Sequence, residues 1–199
     1  MLSLLMGKRA LRYVAGTPSL GLHLHPDNEV LEMFGDASFE AAGSQTGVVG
    51  TFGGAVICWR SSRQTKIAGS TAEAEAASMM STVQMGEGLQ AVLVSMLIGC
   101  SGFRVRCDNS AAITIASGNG TWKSRSILNR LHYVRQAVES GVVDLRFVGT
   151  NDQLADLLTK CLTTLSLERN KRNLRMQKAE VLLGCPEVLG FDCKAAASM

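Results

Sequence analysis

The sequence contains few aromatic residues and no long apolar run. Its 199 residues include only two tryptophans, two tyrosines and six phenylalanines. So few aromatic side chains leave little for binding single-stranded nucleic acid by base stacking. The longest stretches without a charged residue, 41–59 and 88–103, are glycine-rich or too short for a membrane span of about 20 residues. We therefore expect neither a transmembrane helix nor a membrane partner.

Paired metal-binding cysteines are also absent. The six cysteines are scattered without a Cys-x-x-Cys spacing, and the chain has three histidines, so no zinc pattern is present. Cys58 and Cys107 lie in apolar, strand-like runs, where a free thiol packs as a small apolar group. No secretory signal is visible, and we expect an intracellular protein of the cytoplasm or nucleus.

Acidic residues predominate in one half of the chain and basic residues in the other, although the net charge is small. The formal net charge is only +3. Residues 27–90 carry eight acidic and three basic side chains, whereas residues 122–178 carry eleven basic and five acidic ones. An acidic half followed by a basic half is typical of a metal site beside a phosphate-binding surface, although solvated faces of an ordinary domain give the same pattern.

The pattern of apolar residues predicts a mixed α/β domain. A basic amphipathic helix over 4–14 precedes three strands, at 30–37, 46–52 and 55–60. Gly53-Gly54 joins the last two strands as a tight hairpin with positive φ. A long helix over 71–98 has Ser70 as its N-cap and Glu73 as the capping-box partner, and Gly86 and Gly88 are expected to bend or split it.

Strands and helices alternate in the second half. The predicted elements are a strand at 103–107, a helix at 110–116 capped by Asp108, a helix at 126–139, a strand at 142–148, a short helix at 152–159 capped by Thr150 or Asn151, and a basic helical tail at 167–183. An antiparallel beginning followed by alternating elements implies one mixed five-stranded sheet flanked by helices.

Four acidic residues stand at the ends of these elements: Asp36, Glu75, Asp108 and Asp156. Mg²⁺ prefers hard oxygen ligands, and two such ions can assist an in-line phosphoryl displacement. Each acid also has a structural explanation as a cap, a turn residue or a solvated helix position. Glu73 competes with Glu75, because two residues on a helix are about 200° apart and only one of them can face a shared site.

Five motifs, in order, resemble the ribonuclease H domain of copia-type LTR retrotransposon polyproteins. Residues 34–39, Phe-Gly-Asp-Ala-Ser-Phe, resemble Tyr-Ser-Asp-Ala-Asp-Trp of that family. Residues 57–64 resemble Ile-Ser-Trp-x-Ser-Lys-Lys-Gln, and residues 70–76 resemble Ser-Ser-Thr-Glu-Ala-Glu-Tyr. Residues 107–113 resemble Cys-Asp-Asn-x-Ser-Ala-Ile, and residues 150–160 resemble Thr-x-Asp-Gln-Leu-Ala-Asp-Ile-Leu-Thr-Lys.

The resemblance implies a division of the chain into three parts. Residues 10–22 are similar to the segment that joins reverse transcriptase to this ribonuclease H, and no Tyr-x-Asp-Asp polymerase motif occurs. The expected parts are the end of the reverse transcriptase connection (1–28), the ribonuclease H domain (29–161) and a basic helical C-terminal tail (162–199). The implied partners are an RNA–DNA hybrid and the reverse transcriptase portion of the same Pol polyprotein.

The resemblance also implies a reaction, which is two-metal hydrolysis of the RNA strand of RNA–DNA hybrids. The ions would be Mg²⁺, with Mn²⁺ as the alternative. Asp36 would contact both ions, Glu75 and Asp108 would complete the shell of one, and Asp156 that of the other. Phosphate contacts are expected from Arg125, Arg130 and Arg135. Asn109 and Glu75 are expected to contact the 2′-hydroxyls of the RNA strand.

Departures from the family pattern leave rival hypotheses open. Phe39 replaces a tryptophan, Ala76 replaces a tyrosine, and the stretch 123–132 has lost a histidine and an aspartate. A decayed or co-opted copy that binds nucleic acid without cleaving it is therefore one alternative. An integrase-like DNA strand transferase and an interaction domain that docks through the basic stretch 169–178 are the others.

Overall fold

The structure is a computed structural model that describes residues 2–40, 43–117 and 125–178. The chain divides into two compact units. Of the described residues, those within 24–174 form the larger unit, and residues 2–23 together with 175–178 form the smaller one. The three-part division expected from the sequence stays a prediction.

The described residues form five α-helices, seven strands and two short 3₁₀ turns. The helices are α1 (Leu2–Gly16), α2 (Thr71–Ser95), α3 (Ser110–Ala116), α4 (Arg125–Glu139) and α5 (Thr164–Asn173). The strands are β1 (Leu20–Leu22), β2 (Leu31–Ser38), β3 (Gln45–Phe52), β4 (Ala55–Arg63), β5 (Phe103–Cys107), β6 (Val143–Phe147) and β7 (Met176–Lys178). The 3₁₀ turns cover Thr150–Asp152 and Leu154–Leu158.

The larger unit is built on a mixed five-stranded sheet, as the sequence predicted. Its strand order is β4-β3-β2-β5-β6. β2 lies in the middle, antiparallel to β3 on one side and parallel to β5 on the other, and β5 runs parallel to β6. The predicted hairpin between β3 and β4 is confirmed, because Gly53 and Gly54 have φ values of 56° and 80°.

Helix α2 covers the sheet and carries much of the core. Ser70 caps it by accepting a hydrogen bond from the backbone N–H of Glu73, as predicted. Gly86 and Gly88 do not split this helix, because α2 is one uninterrupted helix. A bend at these glycines stays a prediction. The buried core residues packed between α2, α3, α4 and the sheet include Met33, Val48, Met79, Val83, Phe103, Val105, Ile115, Leu131, Val134 and Val143.

Three other local predictions need correction. Asn109, not Asp108, caps α3, since its Oδ1 accepts from the N–H of Ala112. The predicted helix at 152–159 is a pair of 3₁₀ turns preceded by Gly149 and Gln153, so neither Thr150 nor Asn151 is the cap. The predicted tail helix is shorter and begins earlier, as α5, and residues 179–183 of that prediction lie outside the described residues.

The smaller unit has its own short sheet. β1 pairs with β7 in antiparallel register, with Leu20 opposite Lys178 and Leu22 opposite Met176. Helix α1 precedes this pair and contains the amphipathic segment expected at 4–14. Among the described helices of both units, none is long and apolar enough to cross a membrane.

Candidate active site

Two of the four predicted acids meet at the carboxyl ends of neighbouring parallel strands. In the register of β2 and β5, Phe34 lies opposite Arg106. Extending this register by two residues places Asp36 level with Asp108. Because parallel strands end at the same edge of a sheet, the two carboxylates arrive side by side although 72 residues separate them in sequence.

Asp156 reaches the same place from the second 3₁₀ turn. This turn packs directly on β3, where a Cβ on Gly47 would lie 2.8 Å from the carbonyl oxygen of Ala155. The buried side chain of Gln153 anchors the turn by donating to the carbonyl oxygen of Gly35 at 3.1 Å. The close approach therefore depends on a residue without a side chain at position 47.

The three aspartates form a compact acidic cluster. One carboxylate oxygen from each of Asp36, Asp108 and Asp156 lies within 4.8 Å of the other two. Asp36 is 1% exposed and Asp156 is 6% exposed. Like charges held this closely repel one another, which makes the cluster a strong attractor of cations.

Asp36 is held by two consecutive residues that follow the turn. The hydroxyl of Thr159 donates to its Oδ2, and the ammonium of Lys160 donates to its Oδ1 at 3.2 Å. Burial raises the pKa of Asp36 above its usual value, and these two groups oppose that effect. Burial would lower the pKa of Lys160, but its bond to Asp156 and the charge of Asp36 raise it overall.

Glu75 lies beside the cluster, whereas Glu73 serves the start of α2. The carboxylate of Glu73 accepts from the N–H of Gly69 and lies 3.8 Å from the guanidinium of Arg130. Burial and then the charges of Asp36 and Asp108 raise the pKa of Glu75 to about 8. Glu75 is not one of the three acids whose oxygens lie within 4.8 Å of one another. Its raised pKa nevertheless reflects their negative charge.

The donor set of this cluster fits a hard divalent cation. Its ligand atoms are carboxylate oxygens, which Mg²⁺ and Mn²⁺ prefer over the nitrogen and sulfur ligands typical of zinc. Burial first, and then the negative charges of Asp36 and Asp108, raise the pKa of Glu75, and the single ammonium of Lys160 does not balance the three aspartates. A bound divalent cation would remove this imbalance.

A basic groove opens between β4, the middle of α2 and α4. Four basic side chains line it: Arg60, Arg63, Lys66 and Arg130. The polar floor includes Gln64, whose amide donates both to Thr46 and to the carbonyl oxygen of Ala74, the neighbour of Glu75. Thr46 in turn precedes Gly47, which lies opposite Asp36. Gln64 thus links the groove to the segment of α2 that carries Glu75.

Sequence reasoning found Arg130 but missed the other three cations of this groove. The signal was present in β4, where Arg60 and Ser62 alternate with residues of the other face. The sequence could not show that residues of β4, α2 and α4 line one groove, because that depends on the tertiary fold.

The four residues predicted to contact the substrate outside the acidic cluster differ in where they lie and what they bind. Arg130 lines the groove and donates to the carbonyl oxygen of Glu73 at 3.1 Å. Arg135 instead donates to the carbonyl oxygen of Ile115 at 2.7 Å, which joins α4 to α3. Asn109 uses its Oδ1 to cap α3. The side chain of Arg125 lies outside the described residues. All four substrate contacts stay predictions.

Known proteins resemble this chain in sequence. It is 34% identical over 181 residues to the retrovirus-related Pol polyprotein from transposon RE2 of Arabidopsis thaliana, an alignment covering 86% of the chain and 12% of that protein. It is 30% identical over 190 residues to the Pol polyprotein from transposon TNT 1-94 of Nicotiana tabacum, covering 92% and 13%. The chain thus spans 12–13% of the length of these relatives. No protein-family model matches it.

Solved structures resemble the fold. RNase H1 of the halophilic archaeon Halobacterium salinarum superposes with a TM-score of 0.54 at 12% identity, covering 65% of this chain and 93% of that one. LC11-RNase H1 in complex with an RNA/DNA hybrid superposes with a TM-score of 0.51 at 16% identity, covering 65% and 92%. At such identities the likeness establishes the fold alone.

Proposed function

We propose that this chain is a nuclease that cuts the RNA strand of RNA–DNA hybrids. The chain is homologous to the Pol polyproteins of plant retrotransposons and has the ribonuclease H fold. The observation that supports the proposal most is the convergence of Asp36, Asp108 and Asp156, whose oxygens lie within 4.8 Å of one another. These residues come from three separate elements of the chain. Packing of an ordinary α/β domain gives no reason to collect them.

The acidic residues would hold the metal ions of the reaction. Asp36, at the centre of the sheet, would contact both ions, Glu75 and Asp108 would complete the shell of one, and Asp156 that of the other. Two bound divalent cations activate the attacking water and stabilise the leaving oxygen in reactions of this class. Mg²⁺ is the expected ion, with Mn²⁺ as the alternative.

The rest of the site would position the hybrid. The basic groove would hold the phosphate backbone, since Arg60, Arg63, Lys66 and Arg130 line it. Such contacts orient a duplex without reading its sequence. Glu75 and Asn109 would face the 2′-hydroxyls that distinguish RNA from DNA. Because Oδ1 of Asn109 caps α3, donation to a hydroxyl would come from its Nδ2.

The polyprotein relatives suggest where this activity operates. We propose that the reverse transcriptase portion of the same polyprotein is its partner, since the chain spans only 12–13% of the relatives that it resembles. A nuclease next to a polymerase would remove the RNA template as DNA is made. The intracellular location expected from the sequence stays a prediction.

Cleavage of a labelled hybrid tests the proposal. We expect the chain to cut the RNA strand in Mg²⁺, leaving a 3′-hydroxyl and a 5′-phosphate. Asp36→Asn keeps the shape of the side chain but removes a metal ligand. It should reduce the rate by about a thousandfold or more, because a bound metal ion contributes several kcal/mol to transition-state stabilisation.

The matched control is Asp144→Asn, which removes an aspartate paired with Arg146 on β6. This variant should cleave at the wild-type rate. Cleavage that survives in Asp36→Asn would disprove the metal role of the cluster. Tight hybrid binding by the wild type without cleavage would favour the alternative of a retroelement copy that binds but does not cut.

A further inference from the structure

Lys160 places its ammonium inside the acidic cluster. The residue follows the second 3₁₀ turn, four positions after Asp156. Its Nζ lies 2.8 Å from Oδ1 of Asp156 and 3.2 Å from Oδ1 of Asp36. The Lys160 side chain is 40% exposed, whereas that of Asp36 is 1% exposed. The ammonium therefore enters the cluster from the solvent side and bridges two of its carboxylates.

The contacts of Lys160 use the same atoms that a metal ion would need. Oδ1 of Asp36 accepts from Lys160, and Oδ2 of Asp36 accepts from the hydroxyl of Thr159. Both oxygens of Asp36 thus already have a donor. A divalent cation on Oδ1 of Asp36 and Oδ1 of Asp156 would lie beside the ammonium, and the two positive charges would repel each other. The half-exposed Lys160 side chain has room to leave.

The charges give this exchange a direction. One ammonium carries a single positive charge, whereas the three aspartates whose oxygens lie close together carry more negative charge than it can neutralise. A divalent cation brings twice the charge on a smaller ion and binds carboxylate oxygens directly. Lys160 can therefore hold the cluster together without metal and still be displaced by it.

We propose that Lys160 is the resident counter-cation of the acidic cluster, and that metal binding moves its ammonium away from Asp36 and Asp156. Lys160 then competes with divalent cations and sets the metal concentration at which the site fills. This inference rests on the proposed function, because it requires that the cluster holds metal.

Calorimetric titration of the full chain with Mg²⁺, in the absence of hybrid, tests the inference without any reading of activity. Lys160→Met keeps an unbranched stem but removes the charge. We expect it to bind Mg²⁺ about five- to tenfold more tightly than the wild type, as the loss of one partly exposed competing ion pair implies. Lys160→Arg, which keeps the charge, should bind close to the wild-type affinity.

The matched control is Lys171→Met, which removes the lysine of a different ion pair, that with Glu168 on α5. It should leave the Mg²⁺ affinity unchanged. Equal affinities of the wild type and Lys160→Met would overturn the inference while leaving the proposed nuclease intact. Absence of Mg²⁺ binding in both proteins would overturn the inference and the metal-dependent function together.

Thermal melting gives a second reading on the same variants. In a chelator, Lys160→Met should melt at a lower temperature than the wild type, because its carboxylates repel one another without a counter-cation. Added Mg²⁺ should raise its melting temperature more than that of the wild type, since a tighter ligand stabilises the folded state more. An equal Mg²⁺ shift in both proteins would contradict the competition.

Discussion

At the scale of single residues, the acids of this protein differ in what their surroundings demand. The carboxylate of Glu73 stabilises the start of α2 by accepting a hydrogen bond from the N–H of Gly69. Glu75 lies two residues further on, and burial together with neighbouring negative charges raises its pKa to about 8. A glutamate side chain therefore supports the start of the helix at position 73, whereas at position 75 it holds its proton more tightly than usual.

The raised pKa of Glu75 predicts how stability depends on pH in the metal-free protein. Its usual pKa is 4.5 and its folded-state pKa is about 8, so the folded state binds the proton more tightly. The contribution of Glu75 to the free energy of unfolding should be greatest below pH 4.5 and should be lost as the pH rises toward 8. Glu75→Gln removes this titration, and its curve from chemical denaturation in a chelator should be flatter and higher near pH 8.

Glu73→Gln is the matched control for that curve. It weakens the contact of Glu73 with Gly69 and Arg130, so it should lower stability slightly and leave the pH dependence in place. A wild-type decline that persists unchanged in Glu75→Gln would show that another group causes it. Mg²⁺ should reduce the decline in the wild type, because a bound cation favours the ionised carboxylates.

At the scale of secondary structure elements, α2 decides how closely the helical layer approaches the sheet. The sequence indicated that its two glycines weaken the helix, yet α2 runs uninterrupted from Thr71 to Ser95. A Cβ on Gly86 would lie 2.2 Å from the ring of Phe103 at the start of β5. Close contact with the sheet explains the glycine at position 86.

We therefore expect replacement by alanine to have opposite effects on the free energy of unfolding at Gly86 and at Gly88. Gly86→Ala should lower the free energy of unfolding by about 1–3 kcal/mol, because the buried ring of Phe103 would have to shift. Gly88→Ala meets nothing within 4 Å and should raise it by roughly 0.5–1 kcal/mol through helix propensity. Urea unfolding of both variants measures the difference, and equal effects would contradict the packing argument.

At the scale of the whole molecule, a small net charge hides a separation of charge. The acids gather at the carboxyl ends of β2 and β5, whereas residues of β4, α2 and α4 line the basic groove. A substrate with a phosphate backbone and metal-bound reacting atoms would need both regions at once. The fold collects the basic residues into one groove, although they come from positions as distant as Arg60 and Arg130.

Salt dependence tests the groove. Arg60→Ala removes one of its four basic side chains, so hybrid affinity should fall and the slope of log affinity against log salt should decrease by about one. Arg146→Ala removes an exposed arginine that pairs with Asp144 on β6, and it should leave the slope unchanged. Equal slopes for the wild type and Arg60→Ala would place the hybrid elsewhere.

The sequence by itself determined the elements whose signals are local. The Gly53-Gly54 hairpin and the Ser70 cap depend on neighbouring residues only, and both are confirmed. It also determined the mixed sheet, because three strands followed by alternating strands and helices admit few arrangements. The prediction failed where two neighbouring residues can both cap a helix. Asp108 was expected to cap α3, but Asn109 does so.

Only the tertiary structure decided which of these residues meet. The spacing on α2 did not decide whether Glu73 or Glu75 faces the site, and only the family resemblance favoured Glu75. The negative charges around Glu75 come from residues on strands that are far away in the sequence. The same holds for Lys160 between Asp36 and Asp156, and for Arg60 in the groove. Distances between side chains on different elements depend on strand register and close packing, which no local pattern encodes.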